Sequence, residues 1–234
     1  MPTGYANPYT IAAEAAPSDR ARFIRHTYAH LGLAILAFIG VEWVLLQQSW
    51  AAGFIRTMTG GMGWLLVLGA FMLVSSIANR LASSGSSRGT QYAGLGLFIL
   101  AEAIIFMPLL YVASAYAGDR QVIMKAGITT ACIFGGLTLT AFATRKDFSF
   151  FRGFLMVGGF VALGIIVVSI LFGFNLGTIF AGAMAIFASV SILYNTSNII
   201  HHYRTDQYVS ASLALFASVA LLFWYILQIF MRRD

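Results

Sequence analysis

Residues 153–173 read GFLMVGGFVALGIIVVSILFG, and after FNL residues 177–200 read GTIFAGAMAIFASVSILYNTSNII. Neither run contains Lys, Arg, Asp, Glu or His, and three residues separate them. A bilayer hydrocarbon core about 30 Å thick takes about 20 apolar residues of helix. Each run is therefore long enough to cross. The turn that carries Gly173, Asn175 and Gly177 makes the two helices antiparallel neighbours.

The pattern repeats outward in both directions. Apolar runs broken by polar residues place spans at 27–47, 63–80, 92–116, 122–143, 153–173, 177–200 and 210–230. The 234 residues are 59% hydrophobic and 9% charged, against roughly 25% charged in a soluble domain, so a large soluble catalytic domain is excluded. The expected fold is an all-α integral membrane protein, a seven-transmembrane-helix bundle over 27–234 behind a polar N-terminal tail, 1–26. Charge comes late in that tail, at Arg20, Arg22 and Arg25, and a full-length span follows, which is not the layout of a cleaved secretory signal. The longest connections run from Gln48 to Met62 and from Leu81 to Gln91, the second through Ser-Ser-Gly-Ser-Ser, and neither makes a domain. No internal repeat suggests an inverted-repeat transporter. Pro108 is expected to kink the third span.

Enzyme chemistry finds no foothold in the residues. There is no Gly-rich phosphate loop with its lysine, no HExxH and no nucleophile elbow, so neither catalysis nor a cofactor is expected. Cys132 is the only cysteine, which leaves no internal disulfide and no cysteine-rich metal site. His201 and His202 with Asp206 suggest a metal at first glance, but adjacent helical side chains point about 100° apart, and solvated interfacial histidines are the better reading. The net charge of +6 comes from 14 Lys and Arg scattered beside apolar runs, the arrangement that orients a membrane protein rather than one that binds nucleic acid.

Counting those residues gives an orientation. With the tail in the cytoplasm, that side holds Arg20, Arg22, Arg25, Arg80, Arg88, Arg145, Lys146, Arg152 and Arg204. The other side holds Arg56, Arg120, Lys125, Arg232 and Arg233. Nine against five favours a cytoplasmic N-terminus and an outside C-terminus. The terminal arginine pair argues the other way, and would return the C-terminus to the cytoplasm were the seventh segment re-entrant.

Helices in lipid associate through close backbone approach, and small residues at every fourth position mark the contact surface. Gly177, Ala181, Ala185 and Ser189 form such a stripe in the sixth span, and Ser210, Ala214 and Ser218 form one in the seventh. These two helices are expected at the bundle's centre. Ionisable groups at membrane depth are functional candidates by default. Glu102 lies near the midplane of the third span, where a carboxyl must be neutral or paired, serving either as a proton or cation relay or as a protonated donor that knits helices. Glu42, amid Trp43, Gln47, Gln48 and Trp50, reads as a carboxylate snorkelling to an interfacial belt.

Two segments carry a resemblance. Thr144-Arg145-Lys146-Asp147-Phe148-Ser149-Phe150 follows the fourth span, and Leu193-Tyr194-Asn195-Thr196-Ser197-Asn198-Ile199-Ile200 ends the sixth. Both resemble signatures of the Bax inhibitor family, placed as that family places them in a seven-span chain, over about residues 20 to 234. The likeness is to the bacterial inner-membrane branch. It implies a seventh helix surrounded by the other six, and either a pH-sensitive calcium leak or association with a membrane-bound AAA protease.

The chain departs from the family at the implied site. Calcium-leaking members carry two aspartates, and the corresponding positions here are Asn195 and Ser218. Two close carboxylates sense protons because their ionisations are coupled, which an amide and a hydroxyl cannot imitate. Met107 also replaces a small residue before Pro108, near Glu102. Two functions stay open. One is an accessory or regulatory partner of a larger membrane complex. The other is a calcium or proton leak that uses a group such as Glu102.

Overall fold

The computed structural model describes residues 10–232 apart from 61, 84, 86, 117, 118 and 120. Of the positions used above, tail residues 1–9, two serines of the Leu81–Gln91 link, Arg120 and Arg233 lie outside the described residues. The helices are α1 (Pro17–Leu46), α2 (Ala51–Thr59), α3 (Gly63–Ser83), α4 (Arg88–Tyr116), α5 (Val122–Thr144), α6 (Phe151–Phe172), α7 (Gly177–His201) and α8 (Tyr208–Met231). Seven of the eight are long and apolar enough to cross a membrane; α2 is not. The architecture is that of a multi-pass helical membrane protein.

Two boundaries differ from the sequence reading. Helix α1 begins at Pro17, ten residues before the expected span, with proline in its first turn and Asp19 beside it. Proline fixes a helical φ where no N–H partner is needed, and an acid there complements the helix dipole. The last part of the tail is therefore helix. The connection after the first span contains α2, whose buried Ala51, Ile55 and Met58 recur along one face. It packs on α3 and α4, with Met107 of α4 completing a small apolar cluster beside Leu45.

That packing bears on Glu42. The buried stripe of α1 runs Phe23, Thr27, Leu31, Ala34, Phe38 and Glu42, and Phe38 meets Phe106 of α4 and Phe216 of α8 edge-on. Glu42 is thus directed into the bundle, 4% exposed, with both carboxyl oxygens lacking a hydrogen-bond partner. The snorkelling reading fails because the side chain leaves the helix on its inward face. Its neighbour Trp43, on the other face, is exposed.

Helix α8 is the central element. It packs against α1, α3, α4, α5 and α7, and its buried residues come from every side of the helix. The sixth partner, α6, sits against α7 and touches α3 only slightly. The family picture of a helix enclosed by six is therefore incomplete on the α6 side, where a chamber opens.

A close approach of α3 and α4 was not foreseen. A methyl group at Gly94 of α4 would lie 2.6 Å from both the Ala78 carbonyl oxygen and the Ala82 amide nitrogen of α3. Ala78 and Ala82 are small residues spaced by four, the same signal used above for α7 and α8. On α7 the hydrogen-bonded and aromatic contacts with α8 include Phe180, Ser191 and Asn195. These sit on a neighbouring face from the proposed stripe, of which Ala181 and Ala185 are buried and Ser189 is half-buried. Helix α4 continues unbroken through Pro108.

Candidate functional site

Three polar regions are built on this frame. The first joins α7 to α8. Asn195 Nδ2 donates to Ser218 Oγ at 2.8 Å and lies 3.3 Å from the Ala214 carbonyl. Ser191 Oγ is 2.8 Å from Ser218 Oγ, which itself reaches the Ala214 carbonyl at 3.0 Å. Positions 195 and 218, chosen from sequence as a pair, are in direct contact. Ser191 completes the set, and its place one turn before Asn195 on α7 is the signal that would have found it. The arrangement is neutral, and it satisfies the polar groups it buries.

The second region lies at the end of the bundle where the tail begins. Phe148 N–H donates to Ser197 Oγ at 2.8 Å, and His202 Nε2 lies 3.2 Å from Asp147 Oδ2, so the two resembling segments touch each other. Asp147 accepts the Ser149 N–H at 2.8 Å. That backbone bond first, and His202 with it, holds the Asp147 carboxyl below the usual aspartate range. A recess of about 410 Å³ is lined by Ser149, Arg152, Tyr194, Asn198, His202, Tyr203 and Gln207. Burial pushes the Tyr203 phenol up to about 12, with Tyr194 adding to the effect. Arg145, whose φ of 50° ends α5 in the left-handed region, is exposed, as is Lys146.

Tail and loops are fastened together at this end. Ala12 N–H donates to the Tyr203 carbonyl and Thr205 N–H to the Thr10 carbonyl, with Ile11 bridged to Arg204. Arg20 closes the turn by donating to the Ala12 and Ala13 carbonyls. Arg204 binds Asp206 through two 3.0 Å contacts, which draws Asp206 away from His201 and His202. Arg88 reaches the Asp206 carbonyl at 2.8 Å and lies over the Tyr208 ring. His30 shares a 2.9 Å hydrogen bond with Tyr92, the His30 ring stands 4.9 Å from that of Tyr208, and the Tyr92 and Tyr208 hydroxyls are 3.4 Å apart. No group of three or more His, Cys, Asp and Glu that could hold a metal occurs among the described residues. At the opposite end Arg232 donates to Asn175 at 2.8 Å. Helix α8 therefore runs from one end of the bundle to the other.

The third region is a chamber of about 770 Å³ between α3, α4, α6, α7 and α8. Its walls are chiefly aromatic and aliphatic. Glu102 lines it from α4, 7% exposed. The structure thus separates the sequence candidates, with Asn195 and Ser218 on one seam, the Asp147, Tyr194 and Asn198 group at the tail end, and Glu102 in the chamber.

A bundle of seven membrane-length helices with a polar seam on its central helix defines a multi-pass helical membrane protein. Residues 20–234 match the family described as inhibitor of apoptosis-promoting Bax1. An uncharacterized protein of Pseudomonas aeruginosa is 32% identical over 213 residues, 88% of this chain and 87% of that one. Bax inhibitor 1 of Schizosaccharomyces pombe is 30% identical over 228 residues, covering 94% and 80%. Protein LIFEGUARD 4 of Arabidopsis thaliana is 26% identical over 224 residues, covering 94% and 88%. The chain belongs to the Bax inhibitor family.

Proposed function

We propose that this protein is a non-enzymatic accessory or regulatory partner of a larger complex in the bacterial inner membrane, such as a membrane-bound AAA protease. The observation that carries this reading is the neutral set of Asn195, Ser218 and Ser191 at the positions where a proton-gated calcium leak needs two carboxylates. Amides and hydroxyls do not titrate in the physiological range, so the seam has no proton switch. What remains of the family's activities is partnership. Bacterial relatives agree with an inner-membrane setting. The nine-to-five distribution of Lys and Arg supports a cytoplasmic N-terminus. The fastened tail and loops then offer a partner an ordered cytoplasmic surface, with Arg145 and Lys146 exposed on it.

Glu102 favours a second reading, a proton or calcium leak, because its carboxyl faces a chamber. One pair of measurements separates the two. Gentle extraction from native membranes should retain a stoichiometric membrane complex, and the purified protein in liposomes should show no calcium flux that switches with pH. A solitary protein with such a flux would overturn the proposal. If Glu102→Gln then abolished the pH dependence, the leak would run by way of Glu102; if it did not, another group would hold the proton. Conversely, Asn195→Asp with Ser218→Asp should install a pH-switched flux.

A further inference from the structure

The chamber holds two polar groups that the fold does not satisfy. The Glu102 carboxyl, on a buried residue, takes no hydrogen bond or ion pair from the described residues, and the Ser75 hydroxyl of α3 is buried with no partner. Both line the same space. Gly94 packed against Ala78 and Ala82 fixes the register of α3 on α4, and at 1.5 Å per residue it sets Glu102 and Ser75 less than one turn apart along the bundle. Helical side chains tilt toward the start of their own helix. Since α3 and α4 are antiparallel, the two side chains lean toward each other.

The surroundings narrow what belongs there. A calcium ion takes about six to eight oxygen ligands and favours several carboxylates, whereas this wall offers one carboxylate beside the neutral oxygens of Ser75, Ser169, Asn175, Tyr225 and Gln228. The walls are instead aromatic, with Phe71, Phe98, Phe106 and Trp224 prominent. Arg232, hydrogen-bonded to Asn175, stands at the far end and opposes entry of a hydrated cation from that side. The slight contact between α3 and α6 leaves a lateral way in from the bilayer.

We propose that this chamber binds a lipophilic primary amine from the bilayer, its ammonium donating to the Glu102 carboxylate and the Ser75 hydroxyl and its apolar body lying among the aromatic side chains. Desolvated ammonium and carboxylate stabilise each other only when paired, and aromatic faces add cation–π attraction. The site is separate from the α7–α8 seam and from the partner surface, so it stands whether or not the protein serves a complex.

The test uses the full-length protein in nanodiscs and a fluorescent probe, a dansyl group on a short alkyl chain that ends in a primary ammonium. The same probe ending in a hydroxyl is the neutral control. Saturable binding of the amine should be about tenfold or more tighter than that of the alcohol, the size expected for one charge-assisted hydrogen bond. Glu102→Gln, which keeps the side chain's shape, should bring the amine down to the affinity of the alcohol. Ala162→Phe, which fills the chamber from α6, should remove binding of both, with thermal melting to show that each variant is folded. Equal binding of amine and alcohol by the native protein would overturn the proposal. So would an amine preference that survives Glu102→Gln, or full probe affinity in a folded Ala162→Phe variant.

Discussion

The α7–α8 seam and the chamber beside α4 treat polar groups at membrane depth in opposite ways. At the seam Asn195, Ser191 and Ser218 satisfy one another and the Ala214 carbonyl. In the chamber Glu102 and Ser75 line one space, and the buried Ser75 hydroxyl has no hydrogen-bond partner. The same central helix contributes to both, Ser218 to the seam and the adjacent Ala217 to the chamber. The difference teaches that depth alone does not assign a role. A polar side chain whose neighbours complete its hydrogen bonds is part of the packing, whereas one left incomplete is available to something that enters.

The comparison is broken most severely by forcing apart α3 and α4, the two helices that hold Ser75 and Glu102. Gly94→Leu forces a side chain into backbone atoms of α3 that are 2.6 Å from the first added carbon. The expected cost is about 3 kcal/mol or more, read as a large fall in melting temperature and loss of folded protein on extraction. Asn195→Leu strikes the seam instead, and should cost about 1 kcal/mol, the scale of interhelical hydrogen bonds in membranes. A double-mutant cycle with Ser218→Ala should return a coupling of similar size, and a coupling of zero would mean that the seam is held by shape alone. The chamber should respond differently to losing its hydroxyl. Because Ser75 has no partner, Ser75→Ala is expected to lie within about 0.5 kcal/mol of the parent or above it, measured by the same melting assay. A loss as large as that at Asn195 would erase the distinction between the two regions.

The smallest effect lies outside the membrane. Asp147 has its folded-state pKa depressed, chiefly by the Ser149 N–H and further by His202. Its contribution to stability is present above the ordinary aspartate value of about 3.9 and is lost as pH falls through the lower folded value. Asp147→Asn should therefore flatten the acid limb of the stability profile slightly and leave the profile near neutral pH unchanged in shape.

Much of the candidate site was legible through the resemblance of two segments to the Bax inhibitor family, which implied positions 195 and 218 as a pair. Positions 195 and 218 were paired before any coordinates, and they touch. The segments around Asp147 and Ser197, distant along the chain, also meet. Glu42 was misread because its interfacial neighbours Trp43 and Gln47 lie on other faces of α1, and facing is decided by what α1 packs against. Helix α2 was hidden inside a polar connection too short for a span, where only the period of Ala51, Ile55 and Met58 marked it. Ser75 gave no signal at all, since a serine in an apolar helix is unremarkable until its hydroxyl is found without a partner.

Composition and periodicity alone settled the solvent and the number of crossings, because a bilayer demands continuous apolar helices of a set length and those are written residue by residue; the family signatures were read from the specific residues at 144–150 and 193–200. The central place of the last span was already expected from its small-residue stripe and the family resemblance, whereas which face of α1 carries Glu42 inward, and that α6 stands off from α8 to leave a chamber at Glu102, were decided only in three dimensions. Lipid tails are as apolar as the helix faces they compete with, so hydrophobic pattern does not choose between them. That choice falls to close packing, as where Gly94 meets Ala78 and Ala82, and to hydrogen bonds between residues far apart in the chain.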